Sequence, residues 1–196
     1  MSTEINIDPA TTALVLIDLQ KGITSMPTEP LASDKVIGNA NLLVKSFHWK
    51  QAQVVFVRVA HSPDGKNMLH PMVDEAAYRT GSRPPDWSEI VPELERTESD
   101  LLITKHQWGA FYGTELDMEL RRRGINTIVL GGISTNYGVE STARDAYERG
   151  YQLIFAVDAM ASRAAADHEF AVTRIFPRIG LVRKTEEIIK AFEKKE

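Results

Sequence analysis

Short apolar runs, many of them β-branched, alternate along this chain with segments whose apolar residues recur at helical spacing, and that alternation restricts the fold more than any other feature. Ala13 to Ile17 is continuously apolar and ends at Asp18, as expected of a strand buried on both faces. Val36 to Ala52 places Val36, Leu42, Leu43 and Phe47 at helical spacing, and Val54 to Val59 is β-branched again, which makes a β-α-β unit. Leu101 to Thr104 leads into Lys105, and Thr114-Glu-Leu-Asp117 reads as a capping box opening a helix that Gly124 closes. Thr127 to Leu130, Gln152 to Val157 (ending at Asp158) and Leu181 to Arg183 supply further strands. Val139 to Arg149, closed by Gly150, then Ala165 to Ile175 and a terminal segment carrying Ile188, Ile189 and Phe192 supply helices. The expected fold is a three-layer α/β/α, Rossmann-like arrangement around a mainly parallel sheet of about six strands, joined by right-handed crossovers. Strand order is not readable from the pattern.

Length and composition narrow the function. At 196 residues, 43% hydrophobic and 26% charged, residues 1–196 fit one folded domain, without repeats, low-complexity tracts or linkers. The net charge of −4, with both signs interspersed, offers no basic stripe for nucleic acid or anionic lipid. No apolar run approaches the ~18 residues of a membrane helix, and the start lacks a basic stretch followed by an apolar one, so a cytoplasmic location is expected. Cysteine is absent, which removes every disulfide, every thiolate nucleophile and every thiolate metal ligand. The stretch Ala60 to Asp100, with Pro63, Pro71, Pro84, Pro85 and Pro92, is long for a connection and reads as a folded lid, a binding loop or a plain insertion.

Ligands of parallel sheets bind beyond the carboxyl ends of the strands, so polar residues at those ends carry the most information. Asp18 follows the first strand, Lys105 the third, and the turn Gly131-Gly-Ile-Ser-Thr-Asn-Tyr-Gly138 the fourth. Taken singly, Asp18 is equally a turn former and Lys105 equally a solvated cation. Projecting from one sheet edge, they can pair as a functional carboxylate and ammonium.

Three stretches carry a resemblance. Leu16-Ile-Asp18-Leu-Gln20 resembles the first motif of isochorismatase-like hydrolases, and Lys105-His-Gln-Trp-Gly-Ala-Phe111-Tyr-Gly-Thr114-Glu-Leu looks like the second. Gly131 to Ala146 is similar to the third. Their order and spacing match along nearly the whole chain. The resemblance implies a site built on Asp18, Lys105 and the position of the family's attacking cysteine, which here is Gly138, and a cis peptide near Ile133 and Ser134. Covalent thioester chemistry is excluded, since the chain holds no thiol. Ser134, Thr135 and Ser141 lie near, but the first two are placed to cap the following helix and the third lies about one turn inside it. Isochorismatases of this superfamily also carry Gly there and cleave a vinyl ether by acid catalysis, a role open to Asp18 with Lys105 as partner.

The resemblance therefore implies a hydrolase acting on a small anionic metabolite without a covalent intermediate, with an enolpyruvyl ether as one candidate substrate. Ser134, Thr135, Tyr137, Trp108, Phe111 and Tyr112 are expected around the substrate, with room above Gly138 for an enolpyruvyl group. The alternative is a catalytically inactive small-molecule-binding member of the same fold, and a third reading is a scaffold. Homo-oligomers are common among relatives, and one is expected here. No cofactor and no metal are expected, because Arg58-Val-Ala-His61 and a later His70 do not repeat the family's Asp-x-His metal pattern. Ala60 to Asp100 shows no copy of the isochorismatase substrate-positioning residues, which speaks against isochorismate itself. Arg58, His61, Arg79 and Arg83 are candidates for anion contact.

Overall fold

A computed structural model describes residues 5, 7–75 and 83–193. Its sheet has six parallel strands: β1 (Thr12–Ile17), β2 (Gln53–Val59), β3 (Leu101–Lys105), β4 (Thr127–Ile133), β5 (Gln152–Ala161) and β6 (Leu181–Arg183). Their order is β3-β2-β1-β4-β5-β6. The chain winds outward in one direction from β1 and, after returning, in the other from β4. The crevice between the carboxyl ends of β1 and β4 is therefore the switch point at which such sheets bind ligands.

The helices are α1 (Lys21–Thr24), α2 (Ser33–Trp49), α3 (Leu116–Arg122), α4 (Glu140–Glu148), α5 (Ala165–Phe170), α6 (Phe176–Ile179) and α7 (Thr185–Glu193), with π-helical turns at Thr135–Val139 and Ala171–Ile175. Strand side chains alternate between two cores. Leu14 and Leu16 join Val36, Phe47, Ile188 and Phe192 under α2 and α7. Ala13, Val15 and Ile17 join Leu116, Leu120, Val139 and Ala143 under α3 and α4. Both faces of β1 are buried throughout, as its continuous apolar run predicts.

Four expectations need correction. The capping box does not form: Thr114 Oγ1 accepts from the Leu116 N–H at 3.2 Å, but Asp117 turns away to accept from the Tyr151 hydroxyl at 2.8 Å. Asp158 does not end β5. The strand bulges there, pairing Phe155 with Leu130 and then Met160 with Gly132, while Asp158 Oδ1 accepts from the Thr185 N–H and hydroxyl, both at 2.8 Å. The helix expected over Ala165 to Ile175 runs on through the second π-helical turn into α6.

The fourth correction is at Gly131 and Gly132, which belong to the strand rather than to a turn. A Cβ at Gly132 would lie 2.1 Å from the Ile17 carbonyl oxygen, and its φ is +125°, so only glycine lets β4 pass this close to β1. Gly132→Ala should consequently destabilise the protein by about 3 kcal/mol or more, by overpacking and positive φ together. The denaturant midpoint measures this, and a change under about 0.5 kcal/mol would contradict the close approach.

Candidate active site

Asp18 leaves β1 with φ +52°, a left-handed conformation unusual for a residue with a side chain. Its N–H still reaches the Val57 carbonyl at 2.9 Å, so the chain turns sharply while tied to β2. Lys105 ends β3 in register with Val59, with β2 lying between it and β1. Its ammonium stands 2.9 Å from Asp18 Oδ2, and the two side chains are 1% and 9% exposed. It also donates to the Trp108 carbonyl. A buried cation thus has two fixed acceptors, which offsets the cost of removing it from water.

The two carboxylate oxygens are not equivalent. Oδ2 is engaged by Lys105, whereas Oδ1 is buried and makes no hydrogen bond. Burial raises the Asp18 pKa, and the attraction and hydrogen bond of Lys105, with a smaller contribution from the Val59 backbone, only partly oppose it, so the carboxyl holds its proton above the ordinary range.

The third component comes from β4. After the cis peptide Ile133–Ser134 the chain enters the π-helical turn, in which the Tyr137 and Val139 N–H groups both reach the Ser134 carbonyl at 3.2 Å. Ser134 makes no side-chain cap, and Thr135 is fully buried with Oγ1 2.9 Å from His168 Nδ1, so neither caps the helix as expected. Gly138 then lies directly against the ion pair. A Cβ there would be 2.9 Å from Ile17 Cγ2 and 3.1 Å from both Asp18 Oδ2 and Lys105 Nζ. The expectation of free space above Gly138 is corrected: the pair itself fills it. Thr142 clamps the turn to the second motif, donating to the Gly138 carbonyl and accepting the Ala110 N–H at 3.1 Å.

Of the aromatic candidates, Trp108 and Tyr137 pack together with ring centroids 4.8 Å apart and stay 47% and 42% exposed. They stand beside the residues that carry Lys105 and Gly138, where they can face a ligand. Tyr112 is largely exposed. Phe111 is 3% exposed and packs on Tyr151, so it is a core residue rather than a pocket wall.

The loop candidates are arranged differently. Arg58 donates to Thr104 Oγ1 at 3.1 Å, and the Arg83 guanidinium lies 4.1 Å above the Trp87 ring. Burial, then the positive groups of Arg83, His106 and His70, push the His61 imidazole down to about 4. Arg79 lies outside the described residues. Among the described residues no three histidine or carboxylate groups converge as metal ligands would. Open concavities of about 650 and 580 Å³ are found elsewhere, one walled by α2 and Val91 to Glu93, the other by His48 and Asp100, and neither touches Asp18.

Residues that sequence reasoning left out of the site do the bracing. Gln20 is fully buried. Its Oε1 accepts the Val59 N–H at 2.8 Å while Nε2 donates to the Val59 and Trp87 carbonyls at 3.1 and 3.2 Å. It laces β1 to β2 and to the loop. The places of Gln20 and Thr142 in the first and third motifs were the available signals, whereas His168 sits inside a helix with none.

The isochorismatase domain model matches residues 12–187. The chain belongs to the isochorismatase family. The uncharacterized isochorismatase family protein YwoC of Bacillus subtilis strain 168 is 50% identical over 191 residues, covering 97% of this chain and 98% of that protein. The uncharacterized family protein YecD of Escherichia coli O157:H7 is 46% identical, covering 95% and 99%. The structure of an isochorismatase family protein from Burkholderia thailandensis superposes with a TM-score of 0.93 at 41% identity, covering 98% of this chain and all of that one. Members of the family are hydrolases, and this chain is one.

Proposed function

We propose that this hydrolase cleaves a small anionic enol ether by acid catalysis, on a branch of the family in which Gly138 replaces the attacking cysteine. The observation that carries the reading is the asymmetry of Asp18: Oδ2 is locked to Lys105 while Oδ1 is buried without a hydrogen-bond partner, and burial raises the proton affinity of the carboxyl as a whole. That is what a proton donor requires. Oδ1 gives its proton to the terminal methylene carbon of an enolpyruvyl group, water adds to the resulting oxocarbenium carbon, and the hemiketal collapses to pyruvate and an alcohol. The proton released from the water restores Asp18.

Lys105 keeps the charged form of Asp18 tolerable after the transfer. Trp108 and Tyr137, both partly exposed beside the pair, supply ring surface for the substrate. Amide hydrolysis by this chain lacks its usual nucleophile, since the sequence contains no cysteine.

The test is a paired assay. Purified protein is expected to release pyruvate from chorismate-like enolpyruvyl compounds, and no ammonia above background from simple carboxamides such as nicotinamide. Ammonia without pyruvate would overturn the reading. Binding of an anionic ligand with turnover on neither class would establish the binding-protein alternative in its place.

A further inference from the structure

Gly138 meets the ion pair only if the turn that carries it is held at a fixed height. The turn has no side-chain cap of its own. Three contacts grip its first two residues, all from the segment that leaves β5, one of them the Asn136 N–H donating to Ser162 Oγ at 3.4 Å. Thr135 Oγ1 lies 2.9 Å from His168 Nδ1, with the two residues 0% and 7% exposed. Asn136 Oδ1 accepts from the Ser162 hydroxyl at 2.6 Å.

That segment is anchored in turn to the chain following Asp18. Ser162 and Glu29 exchange both backbone hydrogen bonds, at 2.8 and 2.9 Å, and Glu29 Oε2 accepts the Ala165 N–H at 3.0 Å as α5 begins. Arg163 donates to the Pro27 and Ile23 carbonyls at 3.0 and 3.3 Å. Residues 162–168 thus join the two pieces of chain that must meet, the one running on from Asp18 and the one carrying Gly138.

We propose that His168 is a positioning residue, which through Thr135 holds the π-helical turn down so that Gly138 closes over Asp18 and Lys105. Neither ring nitrogen of His168 has a place in the chemistry. The imidazole acts only by fixing the turn, as supporting contacts fix a reactive group.

If the turn lifts, water reaches the carboxyl, and the burial that raises its proton affinity diminishes. Lys105 is the charged group that acts on Asp18 and is present in every variant, so a change in titration reports the turn. The experiment follows the Asp18 carboxyl carbon by NMR in protein labelled with carbon-13 aspartate, its signal assigned by loss in Asp18→Asn. Thr135→Val, which removes only the hydroxyl, and His168→Leu are each expected to lower the Asp18 midpoint by about one pH unit. His168→Asn, which returns an amide to the Nδ1 position, should restore the parent titration. The double variant Thr135→Val/His168→Leu should shift no further than either single, because both remove one contact.

An unchanged midpoint in folded Thr135→Val overturns the proposal, as does an additive double variant. Should His168→Leu fail to fold, the near-isosteric Thr135→Val decides alone. The proposal deepens the proton-donor reading, but its readout needs no substrate, so a protein that releases no pyruvate would end that reading and leave this one standing.

Discussion

Asp18→Asn should cut pyruvate release by about 10² to 10⁴-fold, the loss typical of a removed general acid, while leaving the fold intact. Asparagine retains an oxygen for the Lys105 ammonium, whose other acceptor, the Trp108 carbonyl, is untouched. What disappears is the transferable proton. The pH dependence has a definite sign. An acid catalyst works in its protonated form, so the parent rate is full below the folded-state pKa of Asp18 and declines as pH rises through it. Burial places that pKa above the ordinary 3.8. The same shift links to stability: the contribution of Asp18 is complete below the unfolded value and is lost as pH rises through the folded one. The pH dependence of the melting temperatures of parent and Asp18→Asn should therefore differ between about 3.8 and the raised folded-state pKa, where the parent loses stability as pH rises, and should run parallel on either side of that window. Pyruvate release undiminished in Asp18→Asn would falsify the acid role, and a rate that climbs through the same window would identify a base instead.

The layers of this fold are legible because a parallel sheet covered on both sides demands continuous apolar strands, and β1 supplies one with every side chain buried. Asp18 and Lys105 could be placed at one edge for the same reason, since both simply terminate such runs. What escaped is geometry that depends on close approach. Gly131 and Gly132 carry turn-like composition, yet they extend β4 because β1 leaves no room for a Cβ at Gly132. Asp158 reads as a strand terminus, yet it bridges a bulge to Thr185. Phe111 stands in the motif beside Trp108 and faces the core, because proximity in sequence does not fix the direction of a side chain. His168 is the clearest omission, a helix residue whose only mark is a partner 33 positions away.

The family resemblance directs attention to Gly138 as a loss, the absence of a thiol, whereas the structure gives it a positive role. Any Cβ at this position meets Ile17 Cγ2 at 2.9 Å and the two charged atoms at 3.1 Å, so glycine is what permits the pair to seat against the turn. Gly138→Cys should accordingly fail to restore cysteine-type amidase activity, because the added carbon displaces the groups the thiol would need. It should lower pyruvate release by less than the ~10²-fold that a misplacement of about 1 Å costs, because the pair must give way by only a few tenths of an ångström, and destabilise the protein by about 1 kcal/mol through overpacking. Gly138→Ala separates the two causes. Because the Cβ alone opens the pair, alanine should reproduce both losses, with rates and denaturant midpoints measured side by side. A Gly138→Cys protein that releases ammonia from carboxamides at a rate comparable to the parent's pyruvate release would show that only the thiol was missing. A Gly138→Ala protein with parental rate and stability would show that the ion pair does not depend on the bare backbone beneath it.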